Sequence, residues 1–234
     1  MNIGLIVAAG RGYRVGGPVP KQYLTLGGVA ILRHTILALA AHPDIHAVQV
    51  LIHPNDQALY GAATAGLSLR PPLFGGAERQ DSVRNGLEGI ADLAPETVLI
   101  HDAVRPFISQ ATISAVLAAL AEHPAAIAGV PVADTLKRVE DGRITGTVDR
   151  TSLYRAQTPQ GFRYADILAA HQRVQREAPG VAFTDDAMIF EHLGMRVEMV
   201  LGSEENFKIT TAQDLFRAEA WLKMAQLERS TDEL

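Results

Sequence analysis

The chain contains no cysteine. That excludes disulfides, thiolate nucleophiles and cysteine-ligated metal centres together, because all three need the sulfur. A basic excess is also missing. The formal net charge is −5, and proteins that grip a phosphate backbone are usually basic, which argues against nucleic acid as the main partner. No run approaches the roughly 20 uninterrupted apolar residues of a membrane span. The most apolar helix candidate, residues 30–41, is broken by Arg33 and His34. No basic flank precedes the apolar residues 3–9, so the start of the chain lacks a signal-peptide pattern. Internal repeats, low-complexity tracts and linker-like composition shifts are absent as well. The expectation is one cytoplasmic domain over residues 1–229, with a frayed tail at 230–234 and neither membrane nor nucleic-acid partner. A length of 234 residues suits a single α/β domain, which routinely spans about 200–250. Contents of 47% apolar and 20% charged residues are ordinary globular values.

What is present is concentrated first in residues 2–21, NIGLIVAAGRGYRVGGPVPK. Residues 3–7 read as a short buried strand. They break at once into Ala8-Ala9-Gly10-Arg11-Gly12, a loop without side-chain bulk that lets a polyphosphate approach backbone N–H groups. Two cations, Arg14 and Lys21, follow. A dinucleotide fingerprint requires G-x-G-x-x-G opening directly into a helix. Here Gly10, Gly12 and Gly16 have the wrong spacing, and Pro18 and Pro20 forbid an immediate helix. A P-loop requires G-x-x-x-x-G-K-[ST], whereas Lys21 follows Pro20 and precedes Gln22. Neither motif fits.

Further along, residues 31–41 read as a helix and 47–53 as a buried strand. Asn55 is placed to N-cap a helix over 56–65. A second glycine turn, Phe74 to Ser82 (FGGAERQDS), opens a helix running to about 93. A strand at 97–100 ends in His101-Asp102, and a helix at 111–121 and a strand at 125–130 follow. This alternation predicts an α/β fold: a Rossmann-like, mostly parallel sheet with helices on both faces. Over about 133–150 the pattern changes to alternating polar and apolar residues around Asp141-Gly142, a hairpin turn pair, so a β-hairpin arm is expected that either projects into solvent or pairs with another subunit. Helices at 164–176 and 186–193, strand pieces at 196–201 and 206–209, and a last helix from 213 to about 228 complete the reading. Thr211 and Asp214 have capping-box spacing.

Ligands of open parallel sheets bind at the carboxyl ends of strands. The polar residues there are Asp102 and Arg105 after 97–100, and Asp134-Thr135 after 125–130. Asp102 suits a divalent metal or a substrate hydroxyl; pairing with Arg105, or capping the next helix, is the plain structural alternative. Lys208 is a cation within a strand-like run that either snorkels from an edge or faces the ligand. Arg150 ends the hairpin beside Asp149. Thr184-Asp185-Asp186 reads most simply as an N-cap. The histidines show no metal-ligand spacing, and no serine or histidine forms a nucleophile–base arrangement.

The ordered set of motifs resembles one family. It comprises Ala8-Ala9-Gly10-x-Gly12-x-Arg14, Pro20-Lys21-Gln22-Tyr23, Gly75-Gly76-x-Glu78-Arg79-x-x-Ser82-Val83, His101-Asp102-Ala103-x-Arg105-Pro106, Asp134-Thr135-x-Lys137, Val148-Asp149-Arg150, Thr158-Pro159-Gln160, Thr184-Asp185-Asp186 and Asn206-x-Lys208-Ile209-Thr210. Together these resemble the 2-C-methyl-D-erythritol 4-phosphate cytidylyltransferases over nearly the whole chain. Val15 stands where a methionine is common and Val104 where an alanine is common; neither change removes a charged group.

The resemblance implies cytidylyl transfer from CTP to methylerythritol phosphate, with Mg²⁺ as cofactor. It implies that Arg14 and Lys21 stabilise the transition state, and that Ala8, Ala9, Gly10, Gly12, Gly75, Gly76 and Ser82 hold CTP. It assigns Asp102 to the substrate hydroxyls and the metal, Ala103 to substrate binding, Arg105 and Thr135 to the polyol phosphate, and a further hydroxyl to Thr184. Arg150 and Lys208 would position the acceptor phosphate, Arg150 across the interface of a homodimer. Ribitol-5-phosphate cytidylyltransferase, a sugar-1-phosphate nucleotidyltransferase and a noncatalytic nucleotide-binding module are the alternatives.

Overall fold

The computed structural model describes residues 1–11 and 19–232. Its strands are β1 (Asn2–Ala8), β2 (Thr25–Leu26), β3 (Val29–Ala30), β4 (Ala47–Ile52), β5 (Leu73–Phe74), β6 (Thr97–Asp102), β7 (Ala125–Pro131), β8 (Leu136–Glu140), β9 (Arg143–Val148), β10 (Tyr154–Arg163) and β11 (Glu198–Leu201). Its helices are α1 (Ile31–Ala40), α2 (Gln57–Thr64), α3 (Arg79–Gly89), α4 (Gln110–Glu122), α5 (Tyr164–Glu177), α6 (Ala187–His192) and α7 (Ala212–Asp232). Seven strands form one sheet in the order β11-β7-β10-β6-β1-β4-β5.

The sheet is mostly parallel because its strands are apolar on both faces and therefore need cover on both sides. In β1, Ile3, Leu5 and Ile6 are fully buried. One face packs on Leu32, Ile36 and Leu39 of α1, Tyr60 and Ala63 of α2, and Ile113 and Val116 of α4. The other packs on Val83 and Leu87 of α3, Ile167 and Val174 of α5, and Ile189 and Phe190 of α6. A third small cluster joins Leu26, Ile31, Val104 and Ile209 to Ala218 of α7. β4, β1 and β6 run parallel, as do β7 and β11, so their carboxyl ends share one edge.

β10 was not expected. It lies between β6 and β7, antiparallel to both. A proline argues against a central strand, and Pro159 together with Gln157 and Gln160 hid this one. The register shifts between Ala156 and Gln160, which takes Pro159 out of the ladder, and the Thr158–Pro159 peptide is cis.

Other boundaries differ for local reasons. Asn55 does not cap a helix. It sits in a 3-10 turn, Pro54–Asp56, whose cap is the His53 side chain accepting from the Asn55 N–H at 3.1 Å. α3 stops at Gly89, and a 3-10 turn at Ala91–Leu93 follows. Residues 206–209 are not a strand; they are tied by the Ile209 N–H to the Val104 carbonyl at 2.9 Å. α7 continues past 228 to Asp232, so the backbone of 230–232 is helical. Its first turn has the expected reciprocal box. The Asp214 carboxylate accepts from the Thr211 N–H at 2.9 Å, and the Thr211 hydroxyl accepts from the Asp214 N–H at 3.2 Å. The hairpin arm forms as β8 and β9 around Asp141 (φ 48°) and Gly142 (φ 77°), the left-handed pair that a two-residue hairpin turn requires.

Gly161 of β10 faces α4 at close range. A Cβ built there lies 2.5 Å from Val116 Cγ1 and 2.9 Å from Leu120 Cδ1. Gly161→Ala is therefore expected to destabilise by about 1–3 kcal/mol through overpacking. Urea denaturation should show a lower midpoint with an unchanged slope.

Candidate active site

Three strand ends meet at one crevice. β1 runs out into Ala9-Gly10-Arg11, β4 into His53, and β6 ends on Asp102; between them lies a cavity of about 460 Å³. The first wall is the glycine loop. The buried Gln22 side chain donates Nε2 to the carbonyl of Ala8 at 2.7 Å and to that of Gly10 at 3.0 Å. This stitches the loop to the 3-10 turn Lys21–Tyr23 and sets Lys21 on the crevice wall. A Cβ at Gly10 would meet no atom of the described residues within 4 Å, so they leave that side of the loop unpacked.

The second wall is the turn before α3. A Cβ at Gly75 would lie 2.3 Å from Ala9 Cβ, so the two glycine loops touch only because Gly75 has none. The Ser82 hydroxyl accepts from the Gly76 N–H and donates to the Glu78 carbonyl, each at 3.0 Å. Glu78 and Asp81 form a capping box that fixes the start of α3.

Asp102 forms the floor. Lys208 Nζ lies 3.0 Å and Arg105 Nε 3.3 Å from its Oδ2. Burial pushes the Asp102 carboxyl upward, but the charges of Lys208, Arg105 and Arg79 outweigh this and hold it well below the ordinary carboxylate range. It is ionised at neutral pH. Arg105 is itself buried and donates Nη1 to the Asn206 carbonyl at 2.7 Å. Asn206 is anchored in turn by its Nδ2, which donates to the Thr158 carbonyl at 2.8 Å. Lys208, two residues on, is thus carried on a rigid segment although no strand holds it.

His101, beneath Asp102, is fully buried and belongs to this scaffold. Its Nε2 lies 3.0 Å from the Arg105 carbonyl and its Nδ1 2.9 Å from the Thr158 hydroxyl, which accepts from the Asp102 N–H at 3.0 Å. Only one assignment satisfies every group: Nε2–H donates to the carbonyl, and Nδ1 accepts from Thr158. That is the neutral ring, and burial lowers its pKa to about 4.

Of the expected site residues, Ala8, Ala9, Gly10, Lys21, Gly76, Ser82, Asp102, Ala103 and Lys208 line the crevice. Gly75 backs it, and Arg105 lies under Asp102 as its ion-pair partner. Thr135, Arg150 and Thr184 are exposed and are not among the lining residues. Gly12, Arg14 and Pro18 lie outside the described residues. Pro20 caps the 3-10 turn with φ −61° and ψ 140°.

Three lining or supporting residues were not singled out from sequence. Arg11, at a variable position of the loop motif, pairs with the buried Asp56 at 2.7 Å. Arg79 reaches the crevice from the first turn of α3 and pairs with Asp186 at 2.6 Å. Gln22 passed as part of a motif, although a glutamine directly after a proline-braced lysine was the available signal. The acidic pair divides its work: Asp185 Oδ1 caps α6 by accepting the Met188 N–H at 2.9 Å, while Asp186 turns inward.

Among the described residues no group of three or more histidines and carboxylates could hold a metal ion by itself. Asp102 and Glu78 are the carboxylates among the described lining residues, and Glu78 is engaged in the capping box of α3. This donor set fits Mg²⁺, which takes one or two carboxylates together with phosphate oxygens and water, and not a metal needing a protein cage.

A parallel-sheet crevice with a glycine loop, fixed cations and carboxylates at its strand ends has the parts of an α/β nucleotide-binding site. Residues 3–224 match the sequence profile of the family described as IspD: 2-C-methyl-D-erythritol 4-phosphate cytidylyltransferase, and the chain belongs to that family. It is 57% identical over 214 residues to the bifunctional enzyme IspD/IspF of Paramagnetospirillum magneticum, covering 92% of this chain and 55% of that protein. The Rhodospirillum rubrum enzyme of the same name is 59% identical over 216 residues, with the same coverage of 92% and 55%. The chain spans about half the length of these curated relatives. Among solved structures, 4-diphosphocytidyl-2C-methyl-D-erythritol synthase of Anaerococcus prevotii superposes with a TM-score of 0.83 at 29% identity, covering 95% of this chain and 96% of that one. The 2-C-methyl-D-erythritol 4-phosphate cytidylyltransferase of Thermus thermophilus gives 0.77 at 34% identity, covering 95% and 100%. No helix among the described residues is long and apolar enough to cross a membrane.

The His101 geometry fixes a pH dependence. Its folded pKa of about 4 lies below the unfolded value near 6.5, so the unfolded chain binds the proton first as pH falls. Stability is therefore full above about pH 6.5 and falls by about 3 kcal/mol by pH 4. Unfolding free energies from urea titrations across that range should show this limb, and His101→Gln should flatten it. Asp102 and Asp186, with depressed carboxyls, contribute stability that is present above about pH 3.9 and lost only below it.

Proposed function

We propose that the chain transfers the cytidylyl group of CTP to 2-C-methyl-D-erythritol 4-phosphate, giving 4-diphosphocytidyl-2-C-methyl-D-erythritol and pyrophosphate. The observation that carries this reading is the Asp102–Lys208 pair at 3.0 Å in a crevice walled by two touching glycine loops, within a chain of this family. An oxygen of the acceptor phosphate forms the new bond to the α-phosphorus. The bond to the pyrophosphate bridging oxygen breaks opposite it, and its electron pair leaves with pyrophosphate. The acceptor oxygen is already ionised at neutral pH, so no general base is required, in keeping with the structural role of His101.

On this reading Lys21 stabilises charge on the triphosphate, with Arg14 in the same role. Lys208 orients the acceptor phosphate from the opposite side, and Asp102 accepts hydrogen bonds from the polyol hydroxyls. Asp102 would also hold Mg²⁺, which when bound neutralises charge on the phosphate oxygens. Thr184 supplies a further hydroxyl. Arg105, with both ends of its guanidinium engaged, acts by holding Asp102 in place.

We assign the arm to a second copy of the chain. Among the described residues β8 and β9 pair only with each other, and Val139 and Ile144 are 55% and 67% exposed. Among the described residues Arg150 at its base makes one long contact, at 3.5 Å to the Val132 carbonyl, and it is not among those lining its own crevice. In a homodimer, Thr135 and Arg150 then complete the neighbouring crevice.

The primary test is pyrophosphate release with Mg²⁺ across the four triphosphates and a small panel of polyol phosphates. Release is expected with CTP and methylerythritol phosphate; release with ribitol 5-phosphate instead would replace this reading by the sister activity. Lys208→Ala and Arg150→Ala should each lower kcat/KM by about 10²–10³-fold, as loss of one preorganised donor does. If the sites are shared, refolding the two variants together restores about one quarter of parental activity, because half the dimers are mixed and each has one intact site. Absence of recovery would remove the shared-site assignment.

A further inference from the structure

Arg79 has an environment that none of the roles above uses. It stands at the first helical position of α3 and lines the crevice beside Asp102. Its Nη2 donates to Asp186 Oδ2 at 2.6 Å. Asp186 is 1% exposed and is locked from every side. His171 Nε2 lies 3.2 Å from its Oδ1, and its own N–H donates to Gln160 Oε1 at 3.0 Å. One edge of the guanidinium is thereby clamped to the core between α5, α6 and β10. Its Nε and Nη1 donors make no hydrogen bond among the described residues, and they belong to a side chain that borders the cavity.

A purely architectural arginine tying α3 to α6 would be expected to spend its donors on protein acceptors. Arg79 spends one. With a single Nη2–H spent, one of its two-donor edges (Nη2 with Nε, or Nη2 with Nη1) stays whole, and an edge fixed in this way binds a phosphate bidentately at little entropic cost. We propose that Arg79 is a substrate-contacting residue that presents its unspent two-donor edge to an oxyanion of a phosphate lying beside Asp102, and that Asp186 is its positioning residue. The proposal rests on the preceding reading only for whose phosphate this is. The oxyanion belongs either to the nucleotide or to the polyol phosphate, and the chemistry is the same for both.

The decisive variant is Arg79→Lys, which keeps the charge that pairs with Asp186 but loses the fork. Its thermal midpoint should stay close to the parent's, while kcat/KM for pyrophosphate release falls about tenfold or more. A rise in KM for CTP assigns the oxyanion to the nucleotide, and a rise in KM for methylerythritol phosphate assigns it to the acceptor. Asp186→Asn should raise the same KM by a smaller factor with kcat nearly unchanged. A second measurement needs neither turnover nor a variant: titrate the unaltered protein with tripolyphosphate and, separately, inorganic phosphate, and follow the Arg79 guanidinium N–H signal by nitrogen-15 NMR. A saturable shift of that signal supports the contact even where the pyrophosphate assay is silent, in which case the failure lies with the proposed reaction. An unmoved signal in both titrations, or parental kinetics in Arg79→Lys, overturns the proposal.

Discussion

The crevice depends on one carboxylate holding apart cations that would otherwise repel one another. Lys208 and Arg105 lie 3.0 and 3.3 Å from Asp102, and Arg79 adds its field. Without Asp102, Lys208 and Arg105 would lose the carboxylate that pairs them in a partly desolvated pocket, a costly arrangement. With it, a polyanion meets a concentrated positive field whose members are already in place. The depression of the Asp102 pKa is the thermodynamic counterpart of that field. The neutral His101 below it adds no further positive charge and is committed to the Arg105 carbonyl and the Thr158 hydroxyl.

The backbone around this charge is held by polar side chains buried for that purpose. Gln22 fixes the glycine loop through two carbonyls, Gln160 holds the Asp186 turn, and Asn206 carries the Lys208 segment. Each is buried, and each satisfies backbone groups that irregular loops would otherwise leave unpaired. An amide is suited to this work because it donates and accepts in one plane without introducing charge. The loops can therefore be irregular, as a ligand site requires, and still be rigid.

The sequence exposed what depends on periodicity and what depends on glycine. The buried runs of β1, β4 and β7, the amphipathic helices and the Asp141-Gly142 turn follow from local rules, and the structure has them. The loop at Ala8 to Gly10 and the Gly75-Gly76 turn were legible because small residues there have no other local purpose. Long-range pairing was not legible. Arg105, three residues on, is a local partner of Asp102 that the sequence offers, but Lys208 reaches Asp102 from far along the chain, and Arg79 meets Asp186 across 107 positions; no local pattern encodes either of these two meetings. β10 was hidden for a related reason. Its Pro159 and its glutamines violate strand preferences, and they are tolerated because the ladder shifts register there and the side chains serve the site instead.

These pairings bear on how the site binds. Arg79 with Asp186, Arg11 with Asp56, and Arg105 with Asp102 are each committed to a carboxylate before any ligand arrives, and Asp56 and Asp186 are almost fully buried. A clamped arginine has already lost much of its rotamer freedom, so engaging a phosphate costs less ordering than it would for an exposed one. Lys208 differs. Its side chain is 40% exposed, its ammonium is a point charge on a flexible stem, and only its backbone segment is fixed. Rigid guanidinium groups suit the part of a ligand whose geometry must not change. A movable ammonium suits the group that must travel toward the α-phosphorus, and this favours Lys208 as the partner of the attacking phosphate.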